Sequence, residues 1–344
     1  MTATISEITV QPGEPVQQVL NECAPGAVVR LAAGEHQGSL SVTTAGVSLV
    51  GAGAGATVIV PGDVADTDIP ALHDAPPGVV SGIAVHRAAD VSITGLTIRG
   101  FSGAGIYAHS VTGLDLTDVE VVDNAVWGLY LRESSGLAVT RCRGEGSQYA
   151  GVATAFCATA DAVIQDCTLT GNAYGVFIDN SSRAQVIGNR CRGNAAGIML
   201  LHQVYEGELP GGVQDVLVAD NDCSANELAA GGDDPQALGA SGPPISGVGI
   251  AAIGVQRMTM VGNRLHANRP GGPSVMGASF VLASSADWGG SDSSDNDILW
   301  NTITGSEPYD MQLGTDPTAQ RFRNNIVGAS QPETVEGCAP PEGS

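Results

Sequence analysis

His86, His109 and Arg132 recur at intervals of 23 residues, and Asp179 falls at the same phase 47 residues further on. Tyr107 and Tyr130 each stand two residues before the second histidine and the arginine. Brought together, groups of these types can move a proton beside a carbonyl or a carboxylate. His109 can act as general acid or base, the chemistry imidazole is suited to. Arg132 or a tyrosine hydroxyl can polarise a carbonyl or stabilise an enolate-like oxygen, while Asp179 can orient or deprotonate. His109, Arg132, Asp179 and Tyr130 are therefore the candidate catalytic groups. His86, Tyr107, Trp127, Phe177, Met199, Leu201 and His202 are the candidate substrate contacts. The set is polar at one end and apolar at the other, which suits a ligand with a polar head and an apolar body.

A repeat puts these residues in phase. Glycine followed by alternating apolar residues occurs as Gly82-Ile-Ala-Val, Gly105-Ile-Tyr-Ala, Gly128-Leu-Tyr-Leu, Gly151-Val-Ala-Thr, Gly175-Val-Phe-Ile and Gly197-Ile-Met-Leu, at spacings of 23, 23, 23, 24 and 22 residues. A second strand precedes each by about half a repeat, as in Val91-Ser-Ile-Thr, Leu114-Asp-Leu-Thr and Leu137-Ala-Val-Thr. Repeats of this length mean stacked coils. If the residues one and three after each glycine point inward, those two and four after it form outward columns. One column holds Tyr107, Tyr130, Phe177 and Met199; the other holds His86, His109, Arg132, Asp179 and Leu201. Coils about 4.8 Å apart make His86, His109 and Arg132 near neighbours, with Asp179 two coils from Arg132. As outward groups they are expected to add little to folding.

Asn124, Asn172, Asn194, Asn226 and Asn268 recur just before the glycine strands, at turn positions where stacked amides can bond one another. Cys142, Cys167, Cys191 and Cys223 fall at matching positions and form an inward ladder of small hydrophobes rather than a metal site. After Gly197 the repeat is interrupted by insertions at 202–212, 228–247, 269–274 and 284–296. Each lies at one end of a glycine strand, so that loops rising on both sides would make a groove with the sheet as floor.

The chain has 344 residues and a formal charge of −22, from 36 acidic residues against 14 arginines and no lysine. Nucleic acid and anionic membranes should be repelled, and long polyanions with them unless arginines gather locally. The N-terminus shows neither basic nor apolar signal regions, which reads as cytoplasmic, and an odd number of cysteines fits reduced thiols. The expected organisation is a cap and first coils over 1–50, a coil body over 51–328 and a loosely ordered Pro- and Glu-rich tail over 329–344.

On the glycine repeat, a short helix at Val16-Gln-Gln-Val-Leu and the segments Pro25-Gly-Ala-Val-Val-Arg-Leu and Gly46-Val-Ser-Leu-Val-Gly, the sequence resembles the pectin-lyase-like superfamily of right-handed parallel β-helices, including its NosD-like members. The resemblance implies an all-β, single-domain solenoid with three short strands per coil from about Ala3 to Gly328. It does not fix function, since the superfold hosts lyases, hydrolases, epimerases, adhesins and binding modules. Calcium-dependent lyases of the superfamily commonly use Lys or Arg beside acidic metal ligands; here lysine is missing and the outward columns hold one Asp. Polygalacturonase-like hydrolases need converging carboxylates and a Gly-His-Gly segment; here Asp233-Asp234 sits in an insertion and Gly-His-Gly is missing. Tyr174-Gly-Val-Phe-Ile-Asp179 is only faintly similar to the Tyr-Gly-Phe-Asp-Pro-His segment of alginate-epimerase relatives. The acidic stretch Asp287 to Asp297 does not match an EF-hand and reads as a solvated loop.

Three functions follow. The first is an intracellular biosynthetic enzyme that folds and cyclises or isomerises a partly apolar, polyketide-like small molecule, for instance by a [4+2]-type closure in the groove. The second is a carbohydrate lyase or C5-epimerase acting on uronate polysaccharide, and the third a non-catalytic binding or structural solenoid. The expected partner is a small-molecule substrate, with no cofactor, metal, nucleic acid or membrane.

Overall fold

A computed structural model describes residues 7–62, 72, 78–232, 238 and 242–342; Asp233, Asp234 and the first residues of the expected solenoid lie outside this set. Each coil contributes one short strand to each of three parallel sheets, which among the described residues hold 12, 11 and 12 strands. Sheet neighbours are successive coils, so the repeat alone fixes register: Tyr107 pairs with Tyr130 and His109 with both His86 and Arg132. The expected parallel β-helix is the architecture observed. The Val16–Glu22 helix buries Val16 and Leu20 over the N-terminal end. The tail is not loose throughout as expected: Ser330–Gln331 and Cys338–Ala339 pair with the last coils of two sheets.

The glycine anchors have a steric cause. A Cβ at Gly128 would lie 2.4 Å from the Gly151 carbonyl oxygen, and one at Gly175 would lie 2.5 Å from that of Gly197. The glycine and the residue after it both face the interior, where Ile106, Leu129, Val152, Val176 and Ile198 stack. The residue before each glycine consequently faces out. This adds a third outward column, Ala104, Trp127, Ala150, Tyr174 and Ala196, that strict alternation does not reveal.

Inside, Cys142, Cys167, Cys191 and Cys223 are buried free thiols, as expected. The Asn column is a hydrogen-bonded ladder: Asn172, Asn194 and Asn226 each donate from Nδ2 to the next amide oxygen at 3.2, 3.1 and 2.9 Å, ending on Asn268. A second ladder, Asn189, Asn221, Asn263, Asn301 and Asn325, runs along another corner.

Outside, arginines pair with acids across rungs, as in Arg141–Asp118 and Arg257–Asp215. Asp222 bridges Arg264 and Arg192 at 2.5 and 2.6 Å. Burial opposes its charge, but Arg264, Arg192 and Ser224 outweigh it and hold the carboxyl at about 2. A depressed folded pKa contributes stability above the unfolded value and loses it as pH falls towards the folded one. Asp222→Asn should therefore cost about 1–2 kcal/mol near neutrality. Melts of the two proteins should converge between about pH 4 and pH 2, and a gap that persists at pH 2 would show that charge is not the cause.

Candidate functional site

The outer face of the glycine sheet brings most of the chosen residues into one cluster. Rings stack in a continuous run: His86 on His109 at 5.4 Å, His109 on Tyr107 at 6.0 Å, Tyr107 on Tyr130 at 5.7 Å, and Tyr130 on Trp127 at 4.5 Å. Tyr149 continues it from Trp127 at 4.8 Å. Arg132 lies beside this run. Its guanidinium sits over the Phe156 ring at 4.5 Å and donates to the Tyr130 hydroxyl at 3.4 Å.

The carboxylates of Glu133 and Glu208 hold Arg132. Glu133 accepts from Nε at 3.0 Å and reaches His109 Nε2 with its other oxygen at 3.4 Å, so one carboxylate links the arginine to the imidazole. Glu208 accepts from Nη2. Burial works against the arginine's charge, but the Tyr130 and Glu208 contacts prevail and its pKa lies above the ordinary guanidinium value. His86 is shifted down by burial, then by His109 and Arg87.

Glu133 and Phe156 escape an alternation-based reading because they occupy the corner just past each strand. Arg87, Ser110, Glu133, Phe156 and Asn180 all take left-handed backbone there, with φ of 48, 57, 49, 54 and 45°. The corner turns their side chains back over the sheet edge. Tyr174 escapes because the column before glycine was not visible, and Tyr149 because it stands two residues before Gly151, outside every column. Glu208 and Tyr205 lie in the 202–212 insertion, whose sequence carries no repeat to place them.

That insertion is a strap. It leaves the sheet at Leu201, three coils beyond Arg132, and returns over it. Tyr205 meets Phe156 edge-on at 5.9 Å, and a turn closed by the Glu208 amide on the Tyr205 carbonyl at 3.2 Å aims Glu208 at Arg132. His202 does not line the cluster as expected. Its Nδ1 pairs with Ser291 Oγ at 2.9 Å, and it anchors the strap's root to the 284–296 insertion.

The floor is not the open groove expected from sequence. Arg132 is 1% exposed, Tyr107, Tyr130 and Met199 are 2%, and Phe177 and Asp179 are 8%. The 202–212 and 228–247 insertions supply Tyr205 and Ile245, and Leu72 and Met276 join them, in one apolar cluster with Phe177, Met199, Leu201, Ile253 and Val281. The apolar half is thus filled by the protein's own side chains. For the same reason these outward groups do contribute to packing, contrary to the expectation that they would add little. Asp179 lies in register with Leu201 and accepts from Asn180 Nδ2 at 3.1 Å. Near it, burial pushes the Tyr174 hydroxyl up to about 12, with Tyr149 and Asp179 adding to the effect.

Residues 78–209 match the family described as "right handed beta helix region". The fold of the chain is that of a right-handed parallel β-helix. No curated protein matches it significantly. Solved structures of similar shape include the A-module of mannuronan C-5 epimerase AlgE4 from Azotobacter vinelandii, at 17% identity and a TM-score of 0.65, covering 95% of this chain and 94% of that one. The periplasmic alginate epimerase AlgG is similar at 15% identity and TM-score 0.52, over 90% and 81%. The catalytic domain of a GH87 α-1,3-glucanase is similar at 13% and 0.59, over 98% and 68%. At these identities the likeness is one of fold. Among the described residues of this β-helix, no group of three or more His, Cys, Asp or Glu side chains converges as a metal site.

Proposed function

We propose that this β-helix is a carbohydrate-acting enzyme, a lyase or C5-epimerase for a short uronate-containing saccharide. The observation that carries this reading is the buried Arg132, which already binds a carboxylate, that of Glu208, beside Tyr130 and within one carboxylate bridge of His109. A uronate carboxylate has the charge and planar geometry to take Glu208's place in a guanidinium fork. The names of the similarly folded epimerases and glucanase point to saccharides as well. A cyclase for an apolar molecule is favoured less, because the apolar part of the face is spent on internal packing.

In this reading the strap lifts and the substrate carboxylate docks on Arg132. Neutralising that carboxylate makes the proton on the adjacent carbon easier to remove, because the enolate-like oxygens formed on abstraction stay paired with the guanidinium. His109, whose Nε2 faces Glu133, and Tyr130 are placed to exchange protons with that carbon and with the departing oxygen. Returning a proton to the opposite face gives the epimer; breaking the bond from C4 to the glycosidic oxygen, which leaves with a proton, gives the C4=C5 unsaturated product. The acidic surface disfavours long polyanions, so a short saccharide should turn over faster than a polymer at low salt, and added salt should narrow the gap.

The test is to incubate the protein with mannuronate, guluronate and galacturonate oligomers, following C5 inversion by NMR and unsaturated ends by ultraviolet absorbance. Turnover of one uronate is expected, with His109→Gln lowering it about 100-fold. Cleavage of a neutral glucan with no reaction on any uronate would overturn this reading.

A further inference from the structure

Trp127 is 6% exposed, and its ring is sandwiched between Tyr130 at 8° and Tyr149 at 22° from parallel. Both ring faces are therefore occupied. What remains is the indole edge, and its Nε1–H is buried with no acceptor among the described residues. A buried donor left unpaired costs free energy that pairing would recover. The other buried orphans on this cluster's side of the sheet do not compete for the same role: His86 Nδ1 lies at the far end of the ring stack. The neighbouring positions of Trp127's column are Ala104 and Ala150, so no bulky side chain flanks the indole along it.

We infer that Trp127 is a specificity-determining residue of this site, its indole N–H donating to a hydroxyl, ring or carboxylate oxygen of the saccharide whose carboxylate sits on Arg132. The inference rests on the saccharide reading above and adds a donor to it. Tyr130 links the two points, stacked on Trp127 at 4.5 Å and bonded to Arg132 at 3.4 Å, so one small ligand can span both. A site with an unpaired buried donor rejects ligands that offer no acceptor, because the donor then stays unsatisfied in the complex.

The experiment uses indole N–H resonances of the full chain, which contains three tryptophans. Trp300 is 64% exposed and acts as the internal control, whereas Trp288, whose carbonyl accepts from the Val204 amide at the root of the strap, reports strap movement. Trp127→Phe assigns the third signal while keeping a ring between the two tyrosines. On titration with mannuronate trimer and, separately, galacturonate trimer, the Trp127 signal should move downfield with at least one probe while the Trp300 control stays fixed. Trp127→Phe should weaken binding of that probe about tenfold with an unchanged far-ultraviolet spectrum. A probe that binds without moving the Trp127 signal, or that binds Trp127→Phe as tightly as the parent, overturns the inference and leaves the saccharide reading intact. Binding of neither probe overturns both.

Discussion

Arg132→Gln should lower turnover at least a thousand-fold and also destabilise the fold by about 3–5 kcal/mol, since it strands Glu208 and Glu133 beside a site built for a cation. Among the described residues Arg132 is the largest fully buried side chain, and the Glu133 and Glu208 carboxylates, the Tyr130 hydroxyl and the Phe156 face are arranged around it. Because the loss of activity and the loss of stability have different partners, a cycle separates them. Glu208→Gln removes the strap's competing carboxylate, and it should lower KM for a uronate several-fold while slightly reducing stability. Arg132→Gln with Glu208→Gln should be less unstable than the two single effects added, because the stranded charge is gone, yet should stay inactive. Thermal melts and initial rates on the four proteins give the answer. Additive stability losses would mean that the Arg132–Glu208 contact carries no coupling, and the strap would then not be held by this pair.

Asn263→Ala should be the most damaging single substitution away from the site, about 4 kcal/mol from several buried hydrogen-bonding groups left unsatisfied. Asn263 accepts from the Asn221 backbone amide at 3.0 Å and side-chain amide at 2.9 Å, and donates to Val218 O and Asn301 Oδ1 at 2.8 and 2.9 Å. Water cannot replace these bonds in a column where the amides are at most 1% exposed. The loss should split the solenoid at that coil, so hydrogen exchange should accelerate on both sides of residue 263 and little near Gly128. Uniform acceleration along the whole chain would instead mean that the coils unfold as one unit.

The coil body was legible because one steric rule repeats. A glycine Cβ would strike the next glycine's carbonyl, so the glycine spacing reports the stacking distance in residues, and the outward columns follow from it. The pairing of His109 with Arg132 and of Tyr107 with Tyr130 was readable on that basis. The second asparagine ladder was readable in principle, since Asn189, Asn221, Asn263 and Asn301 each lie five residues before a member of the other ladder or its Ser306 continuation. What was not legible depends on non-repeating chain. Glu208 reaches Arg132 only because the 202–212 insertion folds back over three coils, and no periodicity encodes that path. The burial of the floor follows from the same insertions, which is why an outward residue such as Met199 behaves as core. Tyr174 lay one position outside the strict alternation, where a glycine makes two consecutive residues face inward; Trp127, in the same column, was already among the expected substrate contacts.

Isothermal titration of the full chain and of Arg132→Gln with a short mannuronate oligomer and with its carboxyl-reduced, neutral counterpart tests the central claim most directly. The native chain should bind the charged oligomer and discriminate against the neutral one at least tenfold, and Arg132→Gln should lose this discrimination. Equal affinity of the native chain for both oligomers, or unchanged discrimination in Arg132→Gln, would contradict a carboxylate-binding role for Arg132.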